Sequence, residues 1–297
     1  IPAVVENAQS LPGYLTMMTT YDPVAGVEQP YPIINIISMI AWGLGYFGMP
    51  HILLRFMAIE DEEKLTLSRR VATIWVVISL AVAVLIGVIG LAMSDVGALK
   101  TLTGSDSETI IVQIADLLSK HGILPALLAG TILAGILAST MSTADSQLLA
   151  ASSAVSSDLF GDRVAKTGDK KKAMNAARFT LLAIAVIAAF IARDPNSSVF
   201  GIVSFAWAGF GAVFGPVVLF ALFWRRSNWQ GALAGMISGG AMVFIWKYLV
   251  RPLGGVWNIY ELLPAFSVSC LMIVIVSLLT KAPSKEITEE IRPGLGS

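Results

Sequence analysis

The strongest constraint on this chain is a recurrence of long apolar runs with almost no charge. Ile74 to Met93 contains no charged residue, and neither does Thr180 to Ala192 or Phe266 to Thr280. In hydrocarbon the backbone must satisfy its own hydrogen bonds, so runs of this kind read as transmembrane helices. Composition agrees: the chain is 56% hydrophobic and 13% charged, with a mean hydropathy of +0.76. Soluble domains carry about a quarter charged residues. The net charge of zero and the lack of a basic stripe with interleaved aromatics point away from nucleic acid. The single cysteine, Cys270, excludes an intrachain disulfide and a multi-cysteine metal site.

The pattern predicts seven spans, at about 33–54, 70–94, 122–156, 177–193, 197–223, 229–250 and 260–280. The third is longer than a crossing needs, so it is expected to tilt or to extend past the bilayer. Ser105 to Lys120 is amphipathic and reads as an interfacial helix. The tail from Lys281 is short and charged and is expected to be loose. The segment from Ile1 to Pro32 is polar, starts without Met and carries no signal-peptide pattern. It suggests the C-terminal part of a longer protein.

Basic residues set an expected orientation. Fifteen Lys and Arg fall in the connections 54–70, 157–178 and 224–228 and after the last span, among them Arg69, Arg70, Arg163, Lys166, Arg225, Arg226, Lys285 and Arg292. Five fall on the opposite side: Lys100, Lys120, Arg193, Lys247 and Arg251. The two sets alternate correctly with seven spans. Ile1 is therefore expected outside and Ser297 in the cytoplasm, as in a multi-pass protein of a bacterial plasma membrane.

Two segments carry candidate chemistry. The first is "ILASTMSTADSQLLAASSA", Ile136 to Ala154, within the long third span. Ser139, Ser142, Thr143 and Ser146 fall at i, i+3, i+4 and i+7, on one helical face. Carbonyls and hydroxyls together suit a hard monovalent cation that must also leave again. Helix packing is the competing reading, because small residues let membrane helices approach closely. Asp145 lies near the same face, and an intramembrane carboxylate is by default a functional candidate. It could equally be wetted or paired near the helix end.

The second segment is "AWGLGYFGMPHILLRFMA", Ala41 to Ala58. Gly43, Gly45, Gly48 and Pro50 weaken the helix within eight residues, so this span is expected to be discontinuous. Broken helices at membrane depth occur where backbone lines a cavity, and they mark binding sites in secondary transporters. Trp42 and Tyr46, at i and i+4, could wall an apolar pocket with a polar handle. A simple proline kink with aromatics at the membrane interface is the alternative.

At these segments the sequence resembles the sodium/solute symporter family, and within it the bacterial sodium/proline branch. The matching stretches are "WGLGYFGMPHILLRFMA", "GILASTMSTADSQLLAASSAVSSDLF", and "SFAWAGFGAVFGPVVLF" followed by "GALAGMISG". The likeness covers nearly the whole chain, residues 1–297. It implies an all-α integral membrane fold: the second five-helix inverted repeat of a five-plus-five core, plus two extra C-terminal transmembrane helices. The first repeat would be absent. By resemblance, the Ser139 carbonyl and the Ser142 and Thr143 hydroxyls form half of a sodium site, and the missing N-terminal repeat supplies the rest. Trp42, Tyr46 and Pro50 match positions implicated in binding proline. The implied activity is sodium-coupled uptake of L-proline by alternating access, with Na+ as the coupling ion and the lipid bilayer as surroundings. Ser139 stands where Ala is usual, Met49 where Gln is common, and Asp145 where Ser is found. The last two leave substrate and ion stoichiometry open, and Asp145 could serve a second cation or a proton.

Other readings are a symporter for another amino acid, a carboxylate or a vitamin, or a family-like membrane sensor domain. About seventeen residues follow the last span, too few for a signalling domain. No motif pairs a nucleophile with a base, and His51 and His121 read as helix-end residues, so an enzyme is not expected.

Overall fold

A computed structural model of the chain describes residues 2–22, 25–155, 170–193 and 198–284. Arg163, Lys166 and most of the expected connection 157–178 lie outside these residues, as do Lys285, Arg292 and the tail beyond Ser284. The chain divides into two compact units, Ile1–Ala8 with Ile59–Val199, and Gln9–Ala58 with Phe200–Ser297.

Beyond the short α1 (Pro2–Ser10), the first unit holds α4 (Lys64–Asp95), a 3-10 helix (Gly104–Thr109), α5 (Ile110–Ser119), α6 (Ile123–Ala154) and α7 (Lys170–Ile191). Helices α4 and α6 have 32 residues each. That is about 48 Å of helix, against about 30 Å of hydrocarbon. Most of their Ile, Leu and Val side chains are exposed within the unit, including Ile74, Leu85, Leu124 and Leu137. Exposing so much apolar surface to water is strongly unfavourable; in lipid it costs nothing. Helix α5 packs on both: Ile110 fills the space beside Gly90 of α4, where any Cβ would collide. Ser152 donates to the Ala177 carbonyl at 2.8 Å and ties α6 to α7.

The second unit holds α2 (Ile33–Ala41), a 3-10 helix (Trp42–Gly48), α3 (Pro50–Met57), α8 (Val199–Phe223), α9 (Trp229–Ile245) and α10 (Leu262–Leu279). Its core includes Ala208, Ala212, Val243, Leu262, Ala265 and Phe266. Gly231, Gly235 and Gly239 of α9 recur every fourth residue and face Ser269, Ile273 and Ser277 of α10, also spaced by four. A Cβ on any of the three glycines would strike the neighbouring helix, so the two backbones meet as small-residue membrane helices do. Past α9 the chain makes a π turn (Trp246–Val250) and two short 3-10 turns. There the buried Glu261 carboxylate, 1% exposed, receives Arg251 at 2.8 Å and has Lys247 at 3.9 Å.

Five described helices are long and apolar enough to cross a membrane, and six if the bent pair 33–57 counts as one span. The fourth expected span, 177–193, is not among these helices. Its helix α7 begins at Lys170, but only Ala177–Ile191 is apolar. The expected all-α class also needs one correction. Strands β1 (Thr19–Asp22) and β2 (Val27–Pro30) form an antiparallel hairpin, Thr19 opposite Pro30, turned with Gly26 at φ +68°. Both strands are polar and four residues long, so they carry no apolar alternation to betray them.

Candidate functional site

The broken span is present. Residues 33–48 and 50–57 form two helical pieces bent by 54°. Met49 between them is extended, at φ −84° and ψ 111°. Pro50 is the first residue of α3 rather than an interior kink. Its fixed φ suits a helix start, and its missing N–H costs nothing there. Met49 instead offers its carbonyl to Ile52 and Leu53, both at 3.0 Å.

The glycines do more than weaken the helix. Gly48 lies against the Phe210 carbonyl and Gly211, and Gly45 against Gly211 and the Trp207 indole. Neither position has room for a Cβ, whereas Gly43 faces open space. So Gly45 and Gly48 are where the broken segment closes onto α8. The small face Ala208, Gly211, Ala212 and Gly215 receives it, all four buried.

The 3-10 geometry alters the expected relation of Trp42 and Tyr46. At three residues per turn, i and i+4 are about 120° apart, not on one face. The two rings meet through a third. Trp207 stacks on Trp42 at 5.6 Å and meets Tyr46 edge-on at 4.8 Å. Its Nε1–H donates to the Trp42 carbonyl at 2.9 Å. Trp42 also stacks with Phe200 and Tyr260, at 5.4 and 5.7 Å. Tyr46 stays half exposed, and Pro50 is exposed. Trp207 was not among the expected site residues. Its one signal is a large aromatic inside a stripe of small residues, Ala206 to Gly209.

Tyr260 carries this cluster toward the connection before α10. Its hydroxyl donates to the Ser204 carbonyl at 2.6 Å, and its N–H donates to Ser38 Oγ at 3.0 Å. Burial pushes the phenol well above its ordinary range, and the Glu261 carboxylate adds to this against an opposing effect of Arg251.

The hydroxyl face belongs to the first unit. Helix α6 is continuous through it, so Ser139, Ser142, Thr143 and Ser146 do share a face. Ser139 is the residue just past the middle of the 32 in α6. Asp145 lies about 9 Å further along the axis. Thr143 Oγ1 donates to the Ser139 carbonyl at 3.3 Å, and Ser146 Oγ to the Ser142 carbonyl at 2.8 Å. Ser142 Oγ and Asp145 have no hydrogen-bond or ion-pair partner among the described residues, and both are exposed within the unit. No group of three or more His, Cys, Asp or Glu gathers among the described residues. A cation here would thus be held by neutral oxygens, with Asp145 as the nearest charge on the helix.

Comparison with known proteins gives a consistent match. The family model described as "Sodium:solute symporter family" matches residues 5–239. The High-affinity proline transporter PutP of Bacillus subtilis is 41% identical over 259 residues, covering 87% of this chain and 52% of the relative. The Sodium/proline symporter of Salmonella typhimurium is 42% identical over 257 residues, 86% of this chain and 49% of the relative. That of Escherichia coli is 42% identical over 252 residues, 84% and 48%. The chain spans about half the length of the curated relatives it matches. No solved structure matches it.

Proposed function

This chain belongs to the sodium:solute symporter family, and from that premise we propose that it serves in sodium-coupled uptake of L-proline by alternating access. The broken span 33–57 carries this reading most directly. A proline-sized solute needs an apolar wall with a few polar handles, at a place where backbone is free of regular helix. Trp42, Tyr46 and Pro50 supply the wall and the hydroxyl at such a place. The names of the relatives favour proline among the solutes such a protein could carry.

The sodium ion is cargo in this scheme. The Ser139 carbonyl and the Ser142 and Thr143 hydroxyls would replace part of its hydration shell. The remaining ligands would come from a first repeat outside these 297 residues, with this chain as the second repeat and two additional helices. Asp145 would tune the site electrostatically or take a proton. Sodium binding would order the hydroxyl face and favour the substrate-competent state, so each ligand would bind better with the other present. The excess of basic residues puts the C-terminus in the cytoplasm.

The test is uptake of labelled proline into vesicles containing the full-length transporter that carries this chain. Uptake is expected to require an inward sodium gradient and to be competed by unlabelled proline above other amino acids. Vesicles holding only these 297 residues are expected to show none. Sodium-independent uptake would overturn the reading.

A further inference from the structure

A second site candidate lies away from both segments, at one end of the second unit. Helix α8 ends at Phe223, α9 begins at Trp229 and α10 ends at Leu279, and the three ends are tied together. Asn228 caps α9 by accepting from Gly231 N at 2.9 Å, and its Nδ2 donates to Thr280 Oγ1 at 2.7 Å and to the Lys281 carbonyl at 2.8 Å. Arg226 donates to the Thr280 carbonyl at 2.6 Å. These bonds fix the backbone that carries Arg225 and Lys281 and leave both cationic heads outside the network.

Between the three ends runs an open groove of about 580 Å³. One part of its lining is apolar, with Val217, Ala221 and Leu222. The other carries Arg225, Lys281 and Ser227, with Trp224 and Trp229 also in the lining. Among the described residues neither Arg225 nor Lys281 pairs with a carboxylate. Trp229 is 71% exposed at the first turn of a membrane-spanning helix, as tryptophans at the headgroup level are. The groove therefore opens where apolar spans give way to polar chain, with two positive charges that pair with no carboxylate among the described residues, on a preset backbone and beside an apolar flank.

We propose that this groove holds the headgroup of an anionic glycerophospholipid. The chemistry matches at both ends. The phosphate and its negative charge meet the guanidinium and ammonium, to which Arg can offer paired N–H groups. The glycerol and first acyl carbons lie along the apolar flank between helices. Basic pockets between transmembrane helices bind anionic headgroups in this way, and the energy per basic residue corresponds to roughly fivefold in affinity.

The test uses the purified full-length transporter that carries this chain, in a neutral detergent, titrated with phosphatidylglycerol or phosphatidylcholine of the same acyl chains and followed by native mass spectrometry. Phosphatidylglycerol is expected to bind at least about tenfold tighter than phosphatidylcholine. The Arg225→Gln/Lys281→Gln double variant is expected to lose about thirtyfold in phosphatidylglycerol affinity, with its helical circular dichroism unchanged. Lys281→Gln alone, at a residue whose side chain makes no described bond, is expected to lose about fivefold; it serves as the test if the double variant fails to fold. Equal binding of the two lipids, or an unchanged affinity in the charge variants, would overturn the proposal. Displacement of the lipid by inorganic phosphate at constant ionic strength would also overturn it, since the groove would then be a site for free phosphate.

Discussion

Thr143 donates its hydroxyl hydrogen to the main-chain oxygen of Ser139, one turn back, at 3.3 Å. A side-chain oxygen and a carbonyl oxygen are thereby held side by side near the middle of a long membrane helix. The bond is long for a hydroxyl donor and therefore weak.

For Ser142→Ala and Thr143→Ala in the full-length transporter, the half-saturating sodium concentration for proline uptake is expected to rise about tenfold, or ~1.4 kcal/mol. Folding should survive, because Ala is a good helix former and suits close packing. Saturating sodium should restore most proline affinity. An unchanged sodium requirement at normal expression would make these hydroxyls packing groups.

Trp207→Phe keeps a ring between Trp42 and Tyr46 but removes the donor to the Trp42 carbonyl. The expected cost is about 1 kcal/mol in stability. Proline affinity should fall while the sodium requirement at saturating proline stays near wild type. Binding isotherms for the two ligands separate these effects.

The glycines of the broken span divide into two kinds. Gly48→Ala places a Cβ into the Phe210 carbonyl and should destabilise by about 1–3 kcal/mol. Gly43→Ala meets open space and should change stability by less than about 0.5 kcal/mol. Thermal unfolding in detergent compares their Tm values directly.

Tyr260 gives a pH dependence of definite sign. Its hydroxyl is held above the ordinary phenol range in the folded chain, chiefly by burial. The folded state thus favours the neutral form. The resulting stability is complete below the unfolded value of about 10 and is lost as pH rises through the window above it. Tyr260→Phe should flatten the fall in Tm above about pH 10, at the cost of the bond to the Ser204 carbonyl. A slope unchanged in the variant would assign that alkaline sensitivity to another group.

Backbone chemistry made the break at Met49 legible in the sequence: three glycines and a proline in eight residues leave few other outcomes. The hydroxyl face was legible for a similar reason, since spacing alone fixes a face once the helix is continuous. The partner of the aromatics was not. Trp207 lies 165 residues from Trp42, and no local pattern announces that Gly45 must be bare to admit its indole. The relation of Trp42 to Tyr46 departs from α periodicity because the chain winds there as a 3-10 helix. The hairpin at 19–30 is held by backbone pairing with no apolar face, so hydropathy could not reveal it.

The seam between α9 and α10 has a mechanical consequence. Its glycines recur every four residues, at the same spacing as Ser269, Ile273 and Ser277 opposite, so sliding one helix by a single turn would bring another glycine opposite the same residues. Such a slip is blocked at both ends. Asn228 grips Thr280 and Lys281 at one end, and the Arg251–Glu261 pair closes the other. Two helices locked in one register at top and bottom behave as a single stave. In the proposed transport cycle this pair is expected to travel as one piece, with bending left to segments that lack such a lock.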